Sequence, residues 1–212
     1  MIIHDVAQRS PEWFALRCGR LTGTAAKDML ATIKSGEAAA RRDLRMRLVC
    51  ERLTGQTQDN GYINADMQRG IDKEPEALLA YESATGHLVQ AVGFCAHPDL
   101  RVGCSPDGLI ADGAGVLEVK CPKSATHLGY LRSGTLPSEH RAQIQHALWL
   151  TGAEWADFVS FDDRFPSALQ FFRVRVERAD VDLKAYELVV RMFLSEVDRE
   201  FAEVEQLAGV AT

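Results

Sequence analysis

Nowhere in these 212 residues do about eighteen uncharged apolar residues run together, which argues against a membrane-spanning helix. The opening stretch MIIHDVAQRSPEWF lacks the basic and apolar regions of a secretion signal, so a cytoplasmic protein is expected. Five cysteines, Cys18, Cys50, Cys95, Cys104 and Cys121, are an odd number with no CxxC pair. That pattern excludes a disulfide framework and a zinc knuckle, and it suits a reducing compartment. Six histidines form neither HxH nor HExxH, and His140 and His146 lie too far apart on one helix to share a face, so packing or surface roles are expected. A net positive charge is also missing. At -6 the chain is no bulk electrostatic coat for nucleic acid. Repeats, low-complexity tracts and Pro/Ser-rich linkers are absent, which points to a single domain over 1–212.

What is present is unevenly spread. Residues 1–53 hold ten Lys/Arg against six Asp/Glu, a balance of +4 that leaves -10 for the remainder. This places any anion-binding face in the N-terminal third, although RRDLRMRL also reads as the solvated side of an amphipathic helix. Periodicity predicts a short helix from Ser10 with Pro11 in its first turn, then a second helix that Thr22 or Thr24 could cap. A helix over 37–53, with Ala40, Leu44, Leu48 and Leu53 on its apolar side, ends at Gly55, and another over 67–85 ends at Gly86. The period then becomes two. LVQAVGFCA, the stretch from RVGCS to DGLI, and GVLEVKCP predict a three-stranded antiparallel meander with Asp112-Gly113 in its last turn. A helix over 139–150, strands at WADFVSF and LQFFRVRVE, and a closing helix over 179–206 complete an α/β domain whose mixed central sheet is flanked by helices.

The chemistry concentrates in CSPDGLIADGAGVLEVKCP. Asp107 precedes a strand, a turn follows, and Glu118 and Lys120 stand two apart on the next strand, hence on one face. Two carboxylates and an ammonium can then converge, as metal-assisted phosphodiester hydrolysis requires. Hard Mg²⁺ or Mn²⁺ suits such oxygens, the main-chain carbonyl of Val119 could add another, and Lys120 would orient or deprotonate the attacking water. An ExK pair on a strand is more often a surface ion pair, but here it interrupts an apolar run, where unpaired charge is expensive. Cys104 and Cys121 flank the segment without a nearby histidine base and read as small packing residues.

Four ordered blocks, EWFALRCGRLTGT, RGIDKEPEALLAYESATG, CSPDGLIADGAGVLEVKCP and HRAQIQHALWLTG, resemble the phage lambda exonuclease family, the YqaJ-like alkaline exonucleases of the PD-(D/E)xK nuclease superfamily. The resemblance implies a restriction-endonuclease-like core and a Mg²⁺-dependent 5′-to-3′ exonuclease, with Mn²⁺ as a substitute and two ions per active site. Such an enzyme shortens one strand of linear duplex DNA from a 5′-phosphorylated end to mononucleotides and leaves a 3′ overhang for recombination by strand annealing. By the same resemblance Glu74 helps hold a metal or the water, Gln143 joins the active site, and Arg17, Thr24, Ser105 and Gln143 form a pocket for the 5′ phosphate. Thr24 stands where serine is usual, with the hydroxyl donor retained. Met67 matches an apolar wedge between the strands, and Lys34 a basic residue gripping downstream DNA. A ring-shaped homotrimer, a phage single-strand annealing protein as partner, and a phage or prophage origin in a bacterial host are implied as well. A structure-selective endonuclease with the same metal centre, or a non-catalytic DNA-end-binding module, are the competing readings.

Overall fold

The computed structural model describes residues 1–58, 63–207 and 209. Among the described residues nine strands form two mixed sheets. Strands β1 (Ile2–His4), β2 (Leu21–Thr22), β3 (Val89–Gln90), β4 (Phe94–Ala96), β5 (Val102–Cys104), β6 (Gly108–Ile110), β7 (Gly115–Lys120), β8 (Trp155–Phe161) and β9 (Phe171–Glu177) order as β1-β4-β5-β2 and β3-β6-β7-β8-β9. In the larger sheet β7 and β8 run parallel and the other neighbours antiparallel. Helices α1 (Pro11–Arg17), α2 (Ala26–Met29), α3 (Ala39–Thr54), α4 (Ala65–Thr85), α5 (Ser124–Ser133), α6 (Ser138–Thr151) and α7 (Leu183–Leu207) pack around them. The α/β class with a mixed, helix-flanked sheet is as the sequence predicts.

Period-two patterning decides which helix covers which face of β7. Leu117 and Val119 bury against Ala77 and Tyr81 of α4, whereas Val116 belongs to the larger core with Ile144, Ala147 and Leu148 of α6. Glu118 and Lys120 share the Val116 face by alternation. On α4, Pro75 stands inside the helix, where it removes one backbone hydrogen bond at a general cost of about 3 kcal/mol. That cost is tolerated because Ala77 and Tyr81, on the following turn, are fully buried.

Several predicted elements hold closely. Ser10 caps α1 by accepting from the Trp13 N–H at 3.2 Å, and α3 and α4 end at Gly55 and Gly86 with φ of 66° and 73°. Others need correction. Neither Thr22 nor Thr24 caps α2; a 3₁₀ turn over Gly23–Ala25 leads into it, and the two hydroxyls bond each other at 3.2 Å. The three-stranded meander does not form. LVQAVGFCA divides into β3 and β4, and RVGCS to DGLI into β5 and β6, with one half of each in either sheet. Gly93 marks the first division: a Cβ there would meet the Val6 carbonyl at 2.1 Å. Leu53 is exposed rather than in the apolar stripe, and α3 buries Glu51 instead, which accepts from the backbone N–H groups of Gly19 and Gln58. Helix α5 was not predicted, because Leu128 faces outward while His127 and Tyr130 face in, which leaves no apolar period.

The basic stretch of α3 is not a free anion-binding face. Arg41 bonds Glu196 at 2.7 and 3.0 Å, Arg45 bonds Glu200 at 2.6 Å, and Arg52 bonds Asp198 at 2.5 Å, so these arginines fasten α3 to α7. On the far side of the sheet, buried Asp157 takes a bidentate grip from Arg175 and a hydroxyl from Tyr81 at 2.8 Å. Asp162, also fully buried, accepts from the Arg164 side chain and N–H and from Arg69 of α4. Burial alone would raise its pKa, but these donors overcome that and hold the carboxyl far below its ordinary value. A depressed carboxylate stabilises the fold fully above the unfolded pKa of about 4 and loses that contribution as pH falls through the folded value. The acid limb of a melting-temperature profile between about pH 4 and 2 is therefore expected to be shallower in Asp162→Asn than in wild type; identical limbs would remove Asp162 from acid unfolding.

Candidate active site

Three elements carry the acidic residues to one place. The β6–β7 ladder ends with Gly108 opposite Leu117, so Asp107 lies one step further, beside Glu118. Its N–H donates to the Leu117 carbonyl at 3.0 Å, and its Oδ2 accepts from the Val119 N–H at 2.6 Å. Glu118 is 4% exposed, and its Oε1 accepts from the Lys120 ammonium and from Gln143 Nε2 of α6 at 2.5 Å. Glu74, half-buried on α4, completes the group and feels the charge of Asp107 and Lys120.

The electrostatics follow from burial of like charges. Desolvation pushes Glu118 up to about 7 against the pull of Lys120, with Asp107 pushing in the same direction. Asp107 is raised by desolvation, opposed by Lys120 and the Val119 N–H, and Glu74 by desolvation and then by Asp107. Lys120 is raised although burial opposes it, because Glu118 and Asp107 outweigh the desolvation. It meets Glu118 as a hydrogen-bond donor.

Glu74, Asp107 and Lys120 line a groove of about 560 Å³ with Thr24, Val119, Tyr130 and His140. Met67 is on its wall, 49% exposed, as a wedge would need to be, and so is Ile63. Lys34 is exposed on the loop before α3 and is not among the groove's lining residues, so the structure does not bring it to the site. A second, narrow cleft adjoins the groove and is lined by Arg17, Thr24, Ser105, Gln143 and Glu118. The Arg17 guanidinium donates to Thr24 Oγ1 at 3.4 Å and stacks 4.0 Å over the Trp13 ring, while Trp13 Nε1 donates to Ser105 Oγ at 2.8 Å. All four residues expected around a terminal phosphate thus surround one cleft. Gln145 turns away, toward the Asp182 carbonyl.

Sequence reasoning missed Arg9, Tyr130 and His140, all in the groove. His140 stacks on Phe158 with ring centroids 4.9 Å apart, and its Nε2 lies 3.2 Å from the Tyr130 hydroxyl. Burial and the neighbouring Lys120 lower its pKa to about 4, so it is neutral. His146 is a packing residue, fully buried between the Tyr186 hydroxyl and the Gly103 carbonyl. Cys104 is buried and Cys121 partly so.

Among the described residues no three acidic, histidine or cysteine side chains form a ready-made metal cage. Glu118 is turned to Lys120 and Gln143, and Asp107 to a backbone N–H. The donor set nonetheless fits a hard cation: Asp107 and Glu118 are register neighbours, all candidate ligands are oxygens, and the raised carboxyl pKa values mark negative charge that a cation would stabilise.

Residues 12–154 match the family model of the YqaJ-like viral recombinase domain. No curated protein sequence matches the chain. Among solved structures the chain is similar to an alkaline exonuclease from Laribacter hongkongensis, LHK-Exo, at 38% identity over 94% of this chain and 98% of that one, with a TM-score of 0.85. The structure of LHK-Exo in complex with dAMP superposes equally well, at 0.86. A phage-related exonuclease from Haemophilus somnus shares the fold, with 14% identity, 87% and 96% coverage and a TM-score of 0.64. No helix among the described residues is long and apolar enough to cross a membrane. By the extent of the domain match and of the likeness to LHK-Exo, this chain belongs to the YqaJ-like viral recombinase domain family.

Proposed function

We propose that the protein is a Mg²⁺-dependent 5′-to-3′ exonuclease that shortens one strand of linear duplex DNA from a 5′-phosphorylated end. Membership of a viral recombinase family and the likeness to an alkaline exonuclease support a DNA exonuclease. The observation that carries the finer reading is the bond from Gln143 to Glu118, which joins the cleft of Arg17, Thr24 and Ser105 to the acidic centre. A terminal phosphate seated in that cleft puts the next phosphodiester beside Asp107, Glu118 and Lys120.

Asp107, Glu118 and the Val119 carbonyl would hold Mg²⁺, with Glu74 beside them. Bound there, the cation would polarise the phosphoryl group and neutralise its developing charge. Arg17 offers a planar fork to the terminal phosphate, and Thr24 and Ser105 add single hydroxyl donors. Water attacks the phosphorus, Glu74 takes up a proton, and Lys120 donates to the phosphoryl oxygen as charge builds. The P–O3′ bond breaks, the leaving 3′ oxygen takes a proton from solvent, and a mononucleotide with a 3′ hydroxyl departs, leaving a 5′ phosphate on the new end. That end is again a substrate for the cleft. The proposal extends to a homotrimeric ring around the duplex and to a single-strand annealing protein acting on the exposed 3′ strand.

Three outcomes test this reading. With Mg²⁺, linear duplex bearing 5′ phosphate should be degraded faster than its 5′-hydroxyl counterpart, Arg17→Ala should abolish the preference, and covalently closed circles should stay intact; cut circles would favour the endonuclease instead. Lys120→Ala should bind DNA ends yet turn over at least about a hundredfold more slowly, the loss expected for a donor to developing charge, and a near-normal rate would exclude this role. Glu118→Gln keeps an oxygen to accept from Lys120 and Gln143 but removes the charge that would hold a cation, so it should fold and be inactive. Its melting temperature should no longer rise with Mg²⁺; an undiminished rise would place the metal elsewhere.

A further inference from the structure

Residues 1–53 hold a local balance of +4 in a chain of net charge -6, yet Arg41, Arg45 and Arg52 on α3 are occupied by α7. Arg9 is different. It is exposed, it lines the groove with Glu74, Asp107 and Lys120, and no hydrogen bond or ion pair among the described residues engages its guanidinium. Its charge reaches the acidic centre, where it counts among the influences lowering both Glu74 and Asp107 against the rise that burial imposes.

The backbone beneath it is unusual. Arg9 has φ of 68°, in the left-handed region that glycine favours. It occupies the third position of a turn closed by the Ser10 N–H on the Ala7 carbonyl at 3.1 Å, a place where type II turns prefer glycine or asparagine. The turn is pinned on both sides. The Gln8 side-chain amide donates to the carbonyls of Val92 and Pro106, each at 3.2 Å, and Ser10 caps α1. Pro106 immediately precedes Asp107, so the turn is tied to the strand entry that carries the acid. A long cationic side chain is thus carried by a pinned turn at the wall of the groove, at a position where folding alone would favour glycine. Strain retained at such a place points to a ligand.

We propose that Arg9 forms a second phosphate-binding subsite, separate from the Arg17 cleft, which grips a backbone phosphate of the DNA lying in the groove beside Asp107 and Glu74. This subsite rests on the exonuclease reading for its substrate. Its chemistry is a charge-assisted bond from a guanidinium that makes no hydrogen bond or ion pair among the described residues. Two anion sites, Arg17 at the terminus and Arg9 in the groove, would hold the strand on both sides of the acidic centre and offset its repulsion of phosphate.

Arg9→Gly is the decisive variant, because glycine suits φ near +68° and removes the guanidinium without disturbing the turn. Its melting temperature should match or exceed that of wild type. On 5′-phosphorylated duplex, KM should rise about tenfold with kcat within about twofold, the size of one charge-assisted contact. Duplex binding, followed by fluorescence anisotropy with Ca²⁺ in place of Mg²⁺, should lose about one unit of salt-dependence slope. Arg9→Lys should restore the slope and only part of the KM. Wild-type KM and slope in Arg9→Gly would overturn the subsite, as would weaker binding explained by a lower melting temperature. If wild type does not cut linear duplex, the exonuclease reading fails; the binding arm still decides the subsite, which falls if Arg9→Gly binds as wild type does or if neither binds.

Discussion

The site depends on a carboxylate that is almost entirely buried. Glu118 is on an interior strand with apolar neighbours before and after it, and burying its charge is tolerable only because Lys120 and Gln143 donate to the same oxygen. Nearly every other feature serves that arrangement. The parallel pairing of β7 with β8 buries the strand on both sides, α4 covers one face, and α6 brings the glutamine to the other.

Burial also makes the centre adjustable. A carboxyl with pKa near 7 beside a second raised carboxyl is poised between proton and cation, and the Lys120 ammonium shields the charge when neither is bound. The same lysine explains why the acidic residues form no tight cage among the described residues: its ammonium and the Val119 N–H hold the oxygens that a metal would use. Gln143 then joins the two cavities, since one amide bonds Glu118 while lining the cleft of Arg17 and Ser105.

The surrounding charges divide by purpose. Arg41, Arg45 and Arg52 fasten α3 to α7, and Arg175, Arg69 and Arg164 satisfy buried Asp157 and Asp162. Individually, exposed pairs of this kind contribute only about 0.2–1 kcal/mol, but the two fully buried aspartates would be costly without theirs. An acidic protein can therefore keep two arginines, Arg9 and Arg17, on the walls of the two cavities around its acidic centre.

The sequence by itself determined the helices with clear apolar period and glycine ends, the strands of the larger sheet at β8 and β9, and the Asp107, Glu118 and Lys120 set. Alternation on a strand is a local rule, and a charged pair within an apolar run is visible without a fold. Resemblance added Glu74, Arg17, Thr24, Ser105 and Gln143, which lie up to 126 residues apart and share no local pattern. Tertiary structure alone decided the rest. Two segments that alternate like single strands split between sheets, because Gly93 and the passage through Ser105 and Pro106 let the chain change partners, a choice that depends on what lies across the ladder. The same packing took Lys34 away from the groove and brought Arg9 into it. Whether an arginine meets a carboxylate or open solvent depends on contacts distant in the chain, and no periodicity records them.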